Sequence, residues 1–189
     1  MAYLTYLIDH YSALPSTIAF VHSHLEGWPQ AWHTDAEGFN NAHSLNSLRI
    51  GFVQEHGYAN LRCIHEPGCD PAEIQPFRNP PEKDRSAEGA MNETWVAFFG
   101  LETPIPQEIG TPCCSQFAVS RKQVLARPQS DYIRYRKWLL DTPLDDDVSG
   151  RVIEYLWHIM FGKDAVQSVG PSPQITVPAH ADPKQLSSC

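Results

Sequence analysis

Two adjacent cysteines, Cys113 and Cys114, stand just ahead of a short apolar run, Gln116-Phe-Ala-Val119, that stops at Ser120-Arg121. A thiol becomes a nucleophile when a nearby cation or a helix N-terminus lowers its pKa. Arg121 or His158 can supply that cation only through the tertiary fold. Without one, the pair is two small residues suited to burial. Adjacent cysteines rarely bond each other without backbone strain. Neither this pair nor Cys63-x5-Cys69 has the Cys-x2-Cys spacing of a zinc site. Farther along, Ser149 to Gly162 is apolar on most sides but carries Arg151, Glu154, Tyr155 and His158 along one stripe. Glu154 and His158 are one helical turn apart, and Arg151 precedes Glu154 by three positions, so the spacing predicts contact. Glu154 can then orient His158 as a base. The plainer reading is a structural ion pair. Breaking a buried one costs about 3–5 kcal/mol, so lost stability alone would not prove catalysis.

A second group is His22-Ser-His24 with His33, close in sequence to Asp9, His10 and Glu26. Alternate residues of a strand share a face, so His22 and His24 are expected together at a strand end. Zinc needs three or four such ligands. The sequence lacks His-Glu-x-x-His, which favours the reading that these histidines orient a loop, and no metal or cofactor is assigned. Tyr132, Arg134, Tyr135 and Arg136 interleave aromatics with cations, a face that suits phosphate but more often is a solvated helix side. Asp145-Asp-Asp147 reads as an acidic loop before a helix rather than a cation site.

Elements that would carry these groups follow from periodicity. Leu4, Leu7, Ile8 and Tyr11 predict a helix over 2–13, ended at Leu14-Pro15. Thr17 to His22 predicts a buried parallel strand, making an αβ half of an α/β unit. A short helix is expected over 42–50, and strands over 58–63 and 116–119. Residues 64–92 read as a long surface loop, and 121–126 as a short helix. An amphipathic helix is expected over 131–140, with Ile133, Trp138, Leu139 and Leu140 as its apolar residues, and Ser149 should cap the last helix.

The 189 residues suit one α/β domain over 1–162, followed by a Pro-, Ser- and Gln-rich tail over 163–189 expected to be disordered. A net charge of −8 argues against broad electrostatic binding of nucleic acid. Five cysteines, an odd count, without a signal-peptide pattern at the start favour a reducing, cytoplasmic setting, and no apolar run is long enough to span a membrane.

Several uncommon words recur in order across residues 2–162: Ala2-Tyr-Leu-Thr-Tyr-Leu-Ile-Asp-His-Tyr11, Phe20-Val-His-Ser-His24, Gly57-Tyr-Ala-Asn-Leu-Arg-Cys63, Pro67-Gly-Cys69, Cys113 through Arg121, and Ser149 through Gly162. In these the chain resembles a fungal family long catalogued as a domain of unknown function. The resemblance implies a partial GT-A-like, Rossmann-like sheet flanked by helices. Its first part is expected to be missing, because Met1 opens almost directly on the Tyr-Leu-Thr-Tyr helix. It also implies an arginine-containing cyclodipeptide synthase that uses aminoacyl-tRNA through brief local contact, in fungal secondary metabolism. In that reading His22, His24, Glu154 and His158 are the catalytic candidates. Asp9, Arg62, Gln116, Arg121, Arg151 and Tyr155 are the substrate-binding ones. The alternatives are a GT-A-like glycosyltransferase, truncated and inactive, and a non-enzymatic scaffold.

Overall fold

Helix α1 (Ala2–Asp9) forms where Leu4, Leu7 and Ile8 recur at helical spacing, and all three are buried. In this computed structural model, residues 1–62 and 73–167 are described. A 3-10 turn over Tyr11–Ala13 and the Leu14-Pro15 break lead into β1 (Thr17–Phe20), which buries Ile18 and Phe20 and leaves Ala19 exposed. A long irregular excursion returns through α2 (Asn41–Asn46), capped by the Asn40 side chain accepting from the His43 N–H at 3.0 Å. Helix α3 (Ile50–His56) ends at Gly57, whose φ of 82° suits glycine, and an added Cβ there would lie 2.2 Å from Gln123 Oε1. Strand β2 (Tyr58–Asn60) follows at once.

Helix α4 (Ser86–Phe99) precedes β3 (Phe117–Ser120), and Ser120 also caps α5 (Arg121–Leu125) by accepting from the Gln123 N–H at 3.2 Å. Helices α6 (Gln129–Asp141) and α7 (Asp146–Met160) complete the core.

The sheet has the order β1-β3-β2, with β3 antiparallel to both neighbours. Thr17 faces Ser120 and Phe20 faces Phe117 on one side; Tyr58 faces Val119 and Asn60 faces Phe117 on the other. The protein is thus a mixed α/β fold with a small, open, three-stranded antiparallel sheet. The expected parallel strand at residues 17–22 is instead antiparallel and stops at Phe20. A short apolar run is compatible with either direction, because burial on both faces leaves no directional signal in the sequence.

One face of the sheet meets an aromatic core. Phe117 packs 5.2 Å from Trp157 and 5.3 Å from Tyr58, ring centre to ring centre, with Phe20, Tyr3 and Phe161 around it. Each buried ring of this kind stabilises by roughly 1.5–3 kcal/mol. The other face is lined by Ala59 and Ala118, whose small side chains share a cluster with Val53 of α3.

Three sequence expectations change here. Residues 86–92 belong to helix α4 rather than a surface loop, and residues 63–72 lie outside the described residues. Ser149 is buried inside α7; Asp145 flanks its start, and Asp146 and Asp147 occupy the first turn, where the helix dipole favours them. In α6 the fully buried residues are Tyr132 and Tyr135, whereas Ile133 is 44% and Leu140 64% exposed. The two tyrosines are not a solvated face. Tyr132 donates to the Val124 carbonyl at 2.9 Å, and the Arg134 guanidinium lies 5.5 Å from the Tyr135 ring centre. A phenol whose hydroxyl finds a backbone acceptor buries a larger apolar body than isoleucine does.

Beyond α7 the chain folds back, so that the Gly110 N–H donates to the Ala165 carbonyl at 3.1 Å. Of the tail expected over 163–189, residues 163–167 form this return, and residues 168–189 lie outside the described residues. No described helix is long and apolar enough to cross a membrane.

Candidate functional site

Antiparallel pairing places the exits of β1 and β2 beside the entry of β3. Three chain segments therefore converge: His22 to His24 after β1, Arg62 after β2, and Cys113 to Gln116 before β3. The loop after β1 adds His33 and Asp35, and α7 adds Glu154.

Gln116 ties the histidines together. Its Oε1 accepts from the His22 backbone N–H at 3.1 Å, and its Nε2 donates to the His33 carbonyl at 3.1 Å. Asn41 donates to the carbonyls of His22 and His24 and accepts from the Thr34 hydroxyl at 2.8 Å. The rings of His22 and His33 lie 4.1 Å apart, and those of His24 and His33 6.0 Å apart. Burial lowers the pKa of His33 to about 4, helped by the charges of His22, His24 and Arg62. His22 is also lowered, first by burial and then by His24, while a hydrogen bond with the Cys114 backbone opposes the shift. Both imidazoles are therefore held neutral at neutral pH, available as proton acceptors.

Arg62, only 4% exposed, is the cation of the site. Its backbone N–H donates to Asn60 Oδ1 at 2.9 Å, and its guanidinium lies 5.0 Å from the Trp32 ring centre and 3.6 Å from Asp35 Oδ1. One guanidinium nitrogen reaches Cys113 Sγ at 2.6 Å and Cys114 Sγ at 3.1 Å. The two sulfurs are bonded to each other. This corrects the expectation that the pair is two separate small residues, and in this state neither is a free nucleophile. Within the eight-membered ring Cys114 takes φ 84°, and Ser115 just outside it takes φ 51°. Glu154 Oε1 accepts from the Cys114 N–H at 2.8 Å. The sulfurs and a Glu154 oxygen lie within 4.8 Å of one another, but sulfurs bonded to each other offer a metal no thiolate ligand.

The stripe on α7 does not act as one unit. Glu154 turns to Cys114, while fully buried His158 pairs through Nε2 with the Ala165 carbonyl at 3.0 Å. Burial lowers His158 to about 4, against the pull of Ala165 and Asp164. Arg151 is exposed, and among the described residues no ion pair joins it to Glu154 or Glu154 to His158. Tyr155 is buried and donates to Glu73 Oε1 at 2.9 Å. Arg121 opens α5 at the opposite end of the sheet, since Ser120 pairs with Thr17, and Asp9 is exposed at the end of α1 that leads toward that same Thr17.

Of the sequence candidates, the fold brings His22, His24, Arg62, Gln116 and Glu154 together. It leaves Asp9, Arg121 and Arg151 outside and gives His158 a local backbone partner. Asp35, Trp32 and Asn41 also belong to the site, and no motif or spacing in the sequence marks them. Their signal was weak because polar residues and tryptophans in a long loop are ordinary.

The chain matches, over residues 1–175, the family described as "Protein of unknown function (DUF3431)". It belongs to that family. The match runs past residue 162, the limit of the recurring sequence words, into the segment that folds back on Gly110. No curated protein and no solved structure matches the chain.

Proposed function

We propose that this DUF3431 protein is an aminoacyl-transferring enzyme of the arginine-containing cyclodipeptide synthase kind, acting on aminoacyl-tRNA in the cytoplasm. The observation that carries the reading is the pair of neutral imidazoles, His22 and His33, 4.1 Å apart at the sheet end. Diketopiperazine synthesis needs a base that is unprotonated at neutral pH. An α-ammonium gives up a proton, its amine attacks the ester carbonyl of the second aminoacyl group, and the ester C–O bond breaks to release a tRNA hydroxyl. The remaining amine then attacks the remaining ester and closes the ring, releasing the second tRNA. His22 takes the proton in this scheme, His24 stands exposed at the entrance, and Gln116 holds the imidazole loop in register. Half-buried Glu154 is the carboxylate left to recognise an arginine substrate, now that Asp9 lies elsewhere. The net charge of −8 suits contact limited to the acceptor end.

The test is a mass-spectrometric search for new arginine-containing diketopiperazines in a host expressing the full chain, against an empty-vector control. Product formation that disappears in His22→Ala, with folding retained, supports the reading. Soluble, folded protein that yields no such product overturns it. Glu154→Gln keeps an acceptor for the Cys114 N–H but removes the charge, so turnover lost with folding intact assigns Glu154 to the substrate.

A second reading is a GT-A-like glycosyltransferase. The outer edge of β1 carries no strand among the described residues, and it borders a groove lined by Tyr3, Tyr6, Pro15 and Ile18. Strands of a nucleotide-sugar-binding half would pair along that edge. Calorimetric titration with nucleotide sugars tests it, and heat-silent titrations would remove it.

A further inference from the structure

We propose that the Cys113–Cys114 disulfide is a thiol–disulfide exchange site, opened and closed by small monothiols, with Arg62 stabilising the thiolate released. The inference stands apart from the aminoacyl-transfer reading, since it concerns the covalent state of the pair whatever the site turns over.

Three observations support it. The sulfurs are bonded between neighbouring residues, and the chain takes two successive left-handed non-glycine conformations, at Cys114 and Ser115. Such conformations favour glycine and persist only when something holds them. Next, a buried guanidinium nitrogen contacts both sulfurs, at 2.6 Å and 3.1 Å. A neutral disulfide is a poor acceptor and gains little from a permanent cation, whereas a thiolate gains much. Lastly, Cys114 is the more exposed of the two, at 9% against 5%, while Cys113 has the shorter contact to Arg62. Attack at Cys114 therefore expels Cys113 as a thiolate next to its stabilising cation.

A monothiol loses its proton to solvent and its thiolate attacks Cys114 Sγ. The Cys113–Cys114 S–S bond breaks, a mixed disulfide forms on Cys114, and Cys113 leaves as thiolate. A second monothiol attacks the mixed disulfide through its own sulfur, releasing the oxidised small disulfide and the Cys114 thiolate. The protein pair gains two electrons and two monothiols lose them. Opening the ring also removes the constraint on Cys114, whose N–H is held by Glu154. The redox state thereby reaches a carboxylate of the site.

The test titrates the folded full chain in glutathione buffers of stepped ratio, traps thiols with iodoacetamide and digests with trypsin. Cleavage after Arg85 and Arg121 yields a peptide whose only cysteines are Cys113 and Cys114. The expected result is an unmodified peptide under oxidising buffer and a doubly alkylated one under reducing buffer, with the far-UV circular dichroism unchanged. Arg62→Met should raise the midpoint ratio of squared monothiol to small disulfide by roughly tenfold, and Arg62→Lys should restore most of it. Double alkylation in air-oxidised native protein, or a pair that opens only on unfolding, overturns the proposal. An unchanged midpoint in a folded Arg62→Met variant overturns the role of Arg62. If that variant does not fold, the wild-type titration alone decides the exchange site.

Discussion

His33 and His158 are both buried histidines with pKa values lowered to about 4, yet they belong to different kinds of environment. His158 sits on α7 among core side chains, is fully buried, and is answered by a carbonyl seven residues along its own chain. His33 sits in a loop, in ring contact with His22, His24 and Trp32, and is also pushed by Arg62. Burial is the leading cause at both, but only His33 feels neighbouring positive charge. A core histidine is thus neutral because the fold is dry there; the site histidine is neutral because the fold also sets Arg62 and two further imidazoles beside it, each of which opposes its protonation.

The core is where a substitution costs most. Phe117→Ala should cost about 3–5 kcal/mol in a urea titration, because a fully buried ring that touches Phe20, Tyr58, Trp157 and Phe161 leaves a cavity. In contrast, His22→Ala should cost under about 1 kcal/mol, as its side chain is only partly buried, and on the proposed aminoacyl-transfer reading it should remove the diketopiperazine. A core-sized loss in that variant would mean the cluster is structural.

Acid should destabilise the protein through both histidines. Each binds its proton more tightly unfolded, near 6.5, than folded, near 4. The stability they contribute is fully present above about pH 6.5 and is lost as pH falls through that window toward 4. Roughly 3 kcal/mol is at stake at fully buried His158, and less at His33, where solvent screens the charge, so urea midpoints should drop between about pH 6.5 and 4. His158→Gln and His33→Gln should each flatten the slope; a slope unchanged in both would rule out these groups as its source.

A smaller effect separates the two histidines directly. His22→Asn removes an imidazole that opposes protonation of His33 when the two titrate, so His33 should titrate higher by a few tenths of a unit to about one unit in NMR, with His158 unmoved. Equal movement of both, or of neither, would contradict the electrostatic distinction. The smallest effect lies on α6, where Leu140→Gln, at a 64% exposed position, should shift stability by no more than about 0.5 kcal/mol.

Much of the local structure was legible in the chain. The α1 periodicity, the Pro15 break, the strand near 117–120 and the short helix after it all lie close to where the sequence put them. Local spacing and backbone chemistry determine such features. Spacing failed on α7, where Glu154 and His158 were expected to meet. A one-turn interval only permits contact, and each side chain found a stronger partner elsewhere, the Cys114 N–H and the Ala165 carbonyl. It failed again on α6, where hydropathy favoured Ile133 and Leu140 over the tyrosines that fill the core.

By itself the sequence determined an α/β chain, its family words, and the residue types able to hold protons at His22, His24 and Glu154. Only the tertiary structure decided that the sheet is antiparallel, and with it that the ends of β1 and β2 meet the start of β3. That single choice brings Arg62 onto Cys113 and Cys114 and sends Arg121 to the far end. Pairing direction depends on contacts between segments distant in sequence, and no local pattern of residues encodes it.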